Sequence, residues 1–196
     1  GVPKTYIAST KQTPDVDRQL LQVSASVSSL QAGDRLKVSA WNGSQLVTEQ
    51  VFEGTNGTLA INNPTLWSPS NPFLYDLRVA VLRKGKVVDE VKSYFAMRKI
   101  SMAADNKGVR RMLLNNKFLF QYGPLDQGWW PDGLYTAPTD EALRFDVEKT
   151  REMGFNMIRK HVKVEPARWY YHCDQVGILV WQDMPSGDMG NRWESR

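Results

Sequence analysis

Polar side chains end two short apolar segments in the second half of the chain. Arg159 and His161 close the segment FNMIRKH, and Gln182 with Asp183 closes the segment ILVWQD. Residues two apart in a strand project to the same side, so Arg159 and His161 would share one face. Open α/β sheets and (β/α)8 barrels bind their ligands at the carboxyl ends of parallel strands. The spacing therefore predicts a ligand site at these two strand ends.

A loop rich in glycine and proline, GPLDQGWWPDG, contributes further candidates for binding: Asp126, Gln127, Trp129 and Trp130. A tryptophan is harder to bury in such a loop than on a strand. An exposed indole is a flat apolar platform that can stack on a sugar ring. Packing of the loop itself is the alternative role for both tryptophans, and the residues alone leave both roles open.

The elements around these candidates have a regular order. One helix is predicted between Thr139, which can cap its start, and Gly154, which can end it. A second helix is predicted from about Glu165 to Val176, with Pro166 in its first turn. Strand, helix, strand, helix, strand with short links is typical of parallel βαβ units. The apolar run ILVW suits a strand that is covered on both faces.

The first hundred residues have a different periodicity. Segments such as LLQVSASV alternate apolar and polar residues, as half-buried strands do. Asn42-Gly43 predicts a hairpin turn, Asn56-Gly57 a second turn, and Lys84-Gly85 a third. Six or seven strands at this spacing predict a small antiparallel sandwich. After it, VRRMLLNNKFLF is expected to form a short hairpin.

Composition narrows the classes of function. The chain of 196 residues is 41% hydrophobic and 23% charged, with a net charge of +4. Its lysines and arginines are scattered, whereas nucleic-acid-binding proteins cluster them on one face, so we expect no nucleic-acid partner. Cys173 is the single cysteine, so no disulfide can form within the chain. Only two histidines are present, which makes a zinc site unexpected. No segment is long and apolar enough to predict a membrane span.

Several motifs, taken together, resemble those of family 2 glycoside hydrolases. NPTLWSPSNPFLYDLRVAV followed by DEVKSYFAMRKI resembles the last strands of the family's immunoglobulin-like domain, where W-S-P-x-N-P-x-L-Y precedes F-G-x-R. NNKFLFQYG resembles the segment that leads into its catalytic barrel. GFNMIRKHVKVEPARWYYHCDQVGILVWQD resembles the second and third strands of that barrel. The motifs occur in the family's order and cover nearly the whole chain from about Thr5.

The resemblance implies a multidomain β plus α/β fold. Residues 1–102 would form an immunoglobulin-like β-sandwich, and residues 103–196 the first βα units of an incomplete (β/α)8 TIM barrel. It implies that the parent protein is a retaining exo-glycosidase that hydrolyses O-glycosidic bonds without a cofactor. The family's two catalytic glutamates lie on the fourth and seventh strands, which would follow Arg196. We therefore name no catalytic residue and no metal ligand in this sequence.

The resemblance also suggests roles for individual residues. Arg159 matches the arginine that lies close to the family's nucleophile, where a guanidinium keeps a carboxylate ionised. His161 would donate to a substrate hydroxyl or hold a loop. Asp126 and Asp183 would bind sugar hydroxyls, orient the nucleophile or make structural hydrogen bonds, and a catalytic pair is the remaining alternative.

Other residues are assigned simpler roles. Four tryptophans lie in strand or helix patterns and are expected in the core: Trp41, Trp67, Trp169 and Trp181. Three charged residues are expected to be solvated: Asp132, Glu165 and Asp188.

Departures from the family leave the sugar open. Ala96 stands where the family usually has glycine, GPLDQGWWPDG replaces the N-x-H-E of β-galactosidases, and WQDMPS is nearer to the β-mannosidase-like members. The alternative function is a non-catalytic carbohydrate-binding or interaction module. An incomplete barrel would expose apolar faces, which predicts self-association. For the parent protein we expect a periplasmic or secreted location rather than a cytoplasmic one.

Overall fold

The computed structural model of the chain describes residues 4–185. Its contacts divide the chain into two compact units, Gly1–Ser68 with Phe73–Leu119 and Pro69–Pro72 with Phe120–Arg196. The boundary after residue 102 stays a prediction about the domains of the parent protein.

Two antiparallel sheets form most of the first unit. Their strands are β1 (Tyr6–Asp15), β2 (Leu20–Ser28), β3 (Arg35–Asn42), β4 (Gln45–Glu53), β5 (Asn56–Ala60), β6 (Tyr75–Arg83) and β7 (Lys86–Phe95). One sheet has the order β1-β2-β5, and the other has the order β4-β3-β6-β7. The antiparallel strands predicted for the first half of the chain are confirmed.

One apolar core lies between the two sheets. Alternate residues of each strand project to opposite faces, and the inward set comes from both sheets. The buried members of this core are Ile7, Leu21, Val23, Ala25, Leu36, Val38, Ala40, Leu59, Ile61, Tyr75, Leu77, Val79, Val81, Phe95 and Met97.

Two of the three predicted turns are confirmed. β3 and β4 form a hairpin in which Asn42 pairs with Gln45, and β6 and β7 are joined at Lys84-Gly85. The prediction for Asn56-Gly57 is wrong, because both residues belong to β5. A Cβ on Gly57 would lie 2.2 Å from the ring of Phe52, so glycine here makes room for a ring that packs on the core.

A small antiparallel sheet completes the first unit. Its strands are β8 (Ile100–Ala104), β9 (Arg110–Leu114) and β10 (Lys117–Phe118), in the order β10-β9-β8. Asn115 and Asn116 both adopt positive φ in the turn between β9 and β10. Asparagine tolerates this conformation, and the predicted hairpin is confirmed.

Parallel strands and two helices form the second unit. Its elements are β11 (Leu125–Asp126), α1 (Asp140–Glu152), β12 (Met157–Lys160), α2 (Ala167–Val176) and β13 (Leu179–Gln182). The sheet has the order β11-β12-β13 with both pairings parallel, which confirms the predicted βαβ pattern. Among residues 4–185, neither helix is long and apolar enough to cross a membrane.

The ends of the helices follow from local chemistry. The hydroxyl of Thr139 accepts a hydrogen bond from the Ala142 N–H at 3.1 Å, which is the predicted cap of α1. α2 begins two residues later than predicted, at Ala167, with an extended Pro166 before it. A proline disfavours the helical conformation of the residue that precedes it, so Glu165 stays outside the helix.

The helices cover one face of the parallel sheet. Ile158 and Ile178 pack there against Val147 of α1 and against Trp169 and Cys173 of α2. The opposite face carries exposed side chains near the carboxyl ends of the strands, among them Leu125, Arg159 and Trp181. We call it the open face.

Candidate functional site

Two rows of side chains cross the open face. The strand register places Leu125 beside Arg159, and Arg159 beside Trp181. Because side chains alternate along a strand, residues two positions further on belong to the same face. That second row consists of Gln127, His161 and Asp183.

Side chains of the open face are joined in two polar pairs. The Gln127 amide nitrogen lies 2.9 Å from Nδ1 of His161. The Arg159 guanidinium donates to the Asp183 carboxylate, from Nη2 at 2.9 Å and from Nε at 3.4 Å. The Arg159 side chain is 47% exposed, so the guanidinium is ordered by its partner while remaining accessible to a ligand.

Trp181 lies on the open face, where the sequence predicts a core residue. It is 39% exposed, and its indole N–H donates to the side-chain oxygen of Gln121 at 2.7 Å. The apolar run ILVW indicates a strand covered on both faces, and the described residues cover only one. The expectation of a buried position is confirmed for Trp67 and Trp169.

The two loop tryptophans differ in exposure. Trp129 is 61% exposed and meets the ring of Tyr135 edge to face, with 4.9 Å between ring centres. Trp130 is half-buried, and its backbone pairs with that of Leu134 through hydrogen bonds of 2.8 and 2.9 Å. Trp129 is therefore free to contact a ligand, whereas Trp130 closes the loop.

Asp126 does not join the open face. Its carboxylate forms an ion pair with Lys160, a fully buried lysine on the side of the sheet that the helices cover. Lys160 also lies 3.0 Å from Glu165 and 4.3 Å from the ring centre of Trp169. The second carboxylate oxygen of Asp126 accepts the Gly128 N–H at 2.7 Å. This partner set indicates a structural role for Asp126.

Glu165 is buried, which corrects the expectation that it is solvated. Lys160 and Lys163 both lie 3.0 Å from the same oxygen of Glu165. Buried charges are stable only when they are paired and hydrogen-bonded, as they are here. We call Asp126, Lys160, Lys163 and Glu165 the buried charge cluster.

Two titratable groups beside this cluster have shifted pKa values. Burial raises the pKa of Asp146 on α1, and the negative charges of Asp126 and Glu165 add to this effect. Burial also raises the pKa of the Tyr170 hydroxyl, which bonds to Gln182. The cluster has two positive and two negative charges, so its net charge is zero. Ionisation of Asp146 or Tyr170 would add a further negative charge beside it, and this is disfavoured.

The structure separates the predicted binding residues into sets. Four of them share the open face: Gln127, Arg159, His161 and Asp183. Trp129 is exposed on its loop, Trp130 is half-buried, and Asp126 belongs to the buried charge cluster. Sequence reasoning missed Lys160 and Lys163. The available signal was the position of Lys160, which shares a strand face with the apolar Ile158.

The open face can bind a ligand rich in hydroxyl groups. Amide, imidazole, guanidinium and carboxylate groups supply both donors and acceptors there. Asp183 is the single carboxylate in its two rows, and Arg159 neutralises it. A retaining glycosidase requires two carboxyl groups about 5–5.5 Å apart. Within residues 4–185, no group of three or more His, Cys, Asp and Glu is arranged to hold a metal ion.

Comparison with known sequences supplies the deciding observation. The sequence model of glycosyl hydrolases family 2 matches residues 5–98. A "Putative beta-glucuronidase" of Formosa agariphila is 30% identical over 207 residues, which cover 99% of this chain and 24% of that protein. The chain belongs to glycosyl hydrolases family 2. A beta-galactosidase of Lactococcus lactis is 28% identical over 146 residues, 74% of this chain and 14% of that protein.

Solved structures show the same fold for this family 2 chain. A beta-glucuronidase of Ruminococcus gnavus matches 97% of the chain and 32% of its own length, with a TM-score of 0.83 and 18% identity. A beta-glucuronidase of Parabacteroides merdae matches 95% of the chain and 25% of its own length, with a TM-score of 0.76 and 22% identity. The family 2 chain spans about a quarter or less of the curated relatives it matches.

Proposed function

We propose that this chain forms part of a retaining exo-glycosidase that hydrolyses O-glycosidic bonds. Residues 1–102 would be its immunoglobulin-like domain, and residues 103–196 the first βα units of its (β/α)8 barrel. Membership of family 2 and the parallel order β11-β12-β13 support this assignment. The observation that carries the proposal is the open face, where four polar side chains lie at the carboxyl ends of parallel strands.

The position of the four side chains at the carboxyl ends of the strands matches the usual position of an active site. In (β/α)8 enzymes the active site lies at the carboxyl ends of the strands, inside the ring of helices. In this chain the helices cover one face of the sheet, so the open face would correspond to the inside of such a barrel. The sugar would bind against Gln127 and His161, which offer donors and acceptors to its hydroxyl groups.

Arg159 would act on the nucleophile of the complete enzyme. A guanidinium near a carboxylate favours the ionised form, which is the form that attacks the anomeric carbon. Asp183 holds the guanidinium in place through the bond at 2.9 Å. Arg159 would thus be a positioning residue whose support matters most in the transition state.

A second candidate function is a non-catalytic carbohydrate-binding module. The edge-to-face pair of Trp129 and Tyr135 favours it, because an exposed aromatic pair offers a stacking surface for a sugar ring without any catalytic group. In the enzyme, the same pair would bind a part of the substrate away from the bond that is cleaved.

The test compares this chain with the complete product of its gene on aryl β-glucuronides, β-galactosides and β-mannosides. We expect the complete protein to hydrolyse one of these with retention, seen as the first anomer released in NMR spectra. The 196-residue chain alone should hydrolyse none. Sugar binding without hydrolysis by the complete protein would support the module instead, and inversion would contradict the retaining mechanism.

Self-association of the chain is a separate proposal. The open face exposes Leu125 and Trp181 to solvent, and apolar side chains in such a position favour contact between copies. Light scattering should show a concentration-dependent increase in mass. A monomer over the whole concentration range would contradict this proposal.

A further inference from the structure

The loop that carries Gln127 and Trp129 is fixed by hydrogen bonds to the backbone of Gly128, the residue between them. The Gly128 N–H donates to Asp126 at 2.7 Å, and the Gly128 carbonyl accepts from Nζ of Lys163, also at 2.7 Å. Both partners belong to the buried charge cluster, and Lys163 is only 3% exposed. Gly128 is therefore fixed at its N–H by a partly buried carboxylate and at its carbonyl by a buried ammonium group.

Gly128 fits this position because it has no side chain. Its φ is +63°, a conformation that side chains of L-residues rarely adopt. A Cβ there would lie 2.3 Å from the Glu165 carboxylate and 2.8 Å from Nζ of Lys163. The backbone of the loop thus lies directly against the cluster.

The same lysine reaches the aromatic side of the loop. Nζ of Lys163 lies 4.7 Å from the ring centre of Tyr135, and that ring contacts Trp129. On the other side of Gly128, the Gln127 amide bonds to His161. Lys163 thus contacts the residue next to Gln127, whose amide bonds to His161, and the ring that contacts Trp129.

We infer that Lys163 is a positioning residue, which fixes Gln127, His161 and Trp129 for substrate binding by holding the Gly128 carbonyl. It does not touch the substrate itself. A buried, charge-assisted hydrogen bond has a defined length and direction, so it sets the loop more closely than apolar packing would. The role in substrate binding rests on the proposed function, whereas the effect on the loop does not.

Hydrogen exchange of the 196-residue chain tests the effect on the loop without any substrate. Lys163→Met removes the donor and keeps most of the side-chain volume. Exchange of the amides of residues 127–135 should become about tenfold faster or more, as expected when a hydrogen bond to a charged group is lost. Amides of β3 and β6 serve as the internal reference and should not change.

A double variant separates the hydrogen bond from the charge balance. Lys163→Met with Glu165→Gln removes one positive and one negative charge, so the cluster stays balanced while Gly128 still lacks its donor. The loop should exchange as fast as in Lys163→Met. Return of the loop to wild-type exchange would overturn the inference, because Lys163 would then act only through its charge.

Glu165→Gln alone is the matched control within the cluster. It keeps the bond from Lys163 to Gly128, so the loop should exchange within about twofold of wild type even if the unit is less stable. If Lys163→Met does not fold, the double variant and Gly128→Ala take its place. Gly128→Ala displaces the loop without removing a charge and should also accelerate its exchange. Unchanged exchange in Gly128→Ala would overturn the inference.

Kinetics of the complete protein test the substrate-binding part. Lys163→Met should raise KM about tenfold or more with kcat changed by less than about threefold, since the loop contacts ground state and transition state alike. A fall in kcat with KM unchanged would overturn the positioning role. Should the complete protein show no hydrolysis at all, the proposed function fails, while the exchange result stands by itself.

Discussion

The two units of this chain differ in how many buried charges lie beside their apolar cores. The first unit encloses a core of fifteen buried residues that are all apolar or aromatic. The second unit has a small apolar cluster of five residues and, beside it, a buried group of paired charges. The buried charge cluster lies at the carboxyl ends of the same strands as the candidate site, with Lys160 on the face of the sheet opposite the open face.

This difference shows what each kind of interior provides. Apolar burial is non-directional and grows with area, so it stabilises a sandwich without fixing any single side chain. Paired buried charges add little net stability compared with apolar packing, but each contact has a required geometry. In this chain the buried charges of the second unit lie next to the candidate site, where they fix the geometry of the backbone. The apolar core of the first unit stabilises the β-sandwich.

Removing a buried charge should have the largest effect on stability. Lys160→Met removes the ion-pair partner of Asp126 and one of the two partners of the buried Glu165. Breaking a buried ion pair by removing one partner costs about 3–5 kcal/mol. Protection of the amides in β12 and α2 from hydrogen exchange should fall accordingly. Lys117→Met, at an exposed position of β10, is the control. A loss below about 1 kcal/mol would remove the contrast between the two interiors.

Truncation in the apolar core should be confined to the first unit. Leu77→Ala deletes a fully buried side chain and should cost about 2–5 kcal/mol. Leu46→Ala, at a position 46% exposed on β4, should cost much less and serves as its control. Exchange of amides measured unit by unit shows where protection is lost. An equal loss in both variants would contradict the assigned core.

A close backbone contact in the second unit predicts a smaller effect. A Cβ on Gly123 would lie 1.6 Å from the carbonyl oxygen of Met157, so Gly123→Ala must displace the segment that precedes β11. Overpacking of this kind costs about 1–3 kcal/mol. The midpoint of urea denaturation, followed by far-UV circular dichroism, should decrease. An unchanged midpoint would show that this segment does not approach β12 so closely.

The first unit contains an ion pair whose stabilising effect should be lost only in acid. The Arg83 guanidinium donates to Asp34 at 2.7 and 2.8 Å and lowers the pKa of that carboxyl from 3.8 to about 2. Because the folded-state pKa is the lower one, the stabilisation is present above pH 4 and is lost as the pH falls towards 2.

Asp34→Asn should remove this part of the acid dependence. Thermal unfolding at pH 2, 3, 4 and 7 should show a smaller decrease in Tm with falling pH for the variant than for the wild type. Asp132→Asn, an exposed loop carboxyl, is the control. Parallel Tm profiles for wild type and Asp34→Asn would contradict the pKa shift.

The sequence predicts the helices and strands better than it predicts which residues pack against them. The cap at Thr139 and the alternation in β6 and β7 depend on neighbouring residues, and these predictions are confirmed. The turn at Asn56-Gly57 was wrong, because the glycine accommodates Phe52 from the preceding strand. That contact joins two strands, so the residues next to Gly57 in the sequence do not predict it.

The candidate site shows the same limit. Polar residues at strand ends predicted four members of the open face, because strand alternation fixes their direction. No corresponding signal predicts that Lys163 and Glu165 are buried, because both lie in the loop between β12 and α2, where no strand or helix periodicity fixes the direction of a side chain. Their burial depends on distant contacts, such as those of Lys163 with Gly128 and Tyr135. Likewise Trp181 read as a core residue because its strand is apolar, and its exposure depends on which elements cover the sheet.

The most direct test of the central claim is the kinetics of Arg159→Ala in the complete protein, with folding checked by circular dichroism. If the open face is the substrate side of a glycosidase barrel, kcat and kcat/KM should fall together by about 100-fold, about 2.7 kcal/mol, as when one well-placed electrostatic group is removed. Arg168→Ala is the matched control, an exposed arginine that pairs with Asp140 on the helical side, and it should keep wild-type kcat/KM. A folded Arg159→Ala protein with near wild-type kcat/KM would contradict the placement of the active site on this face.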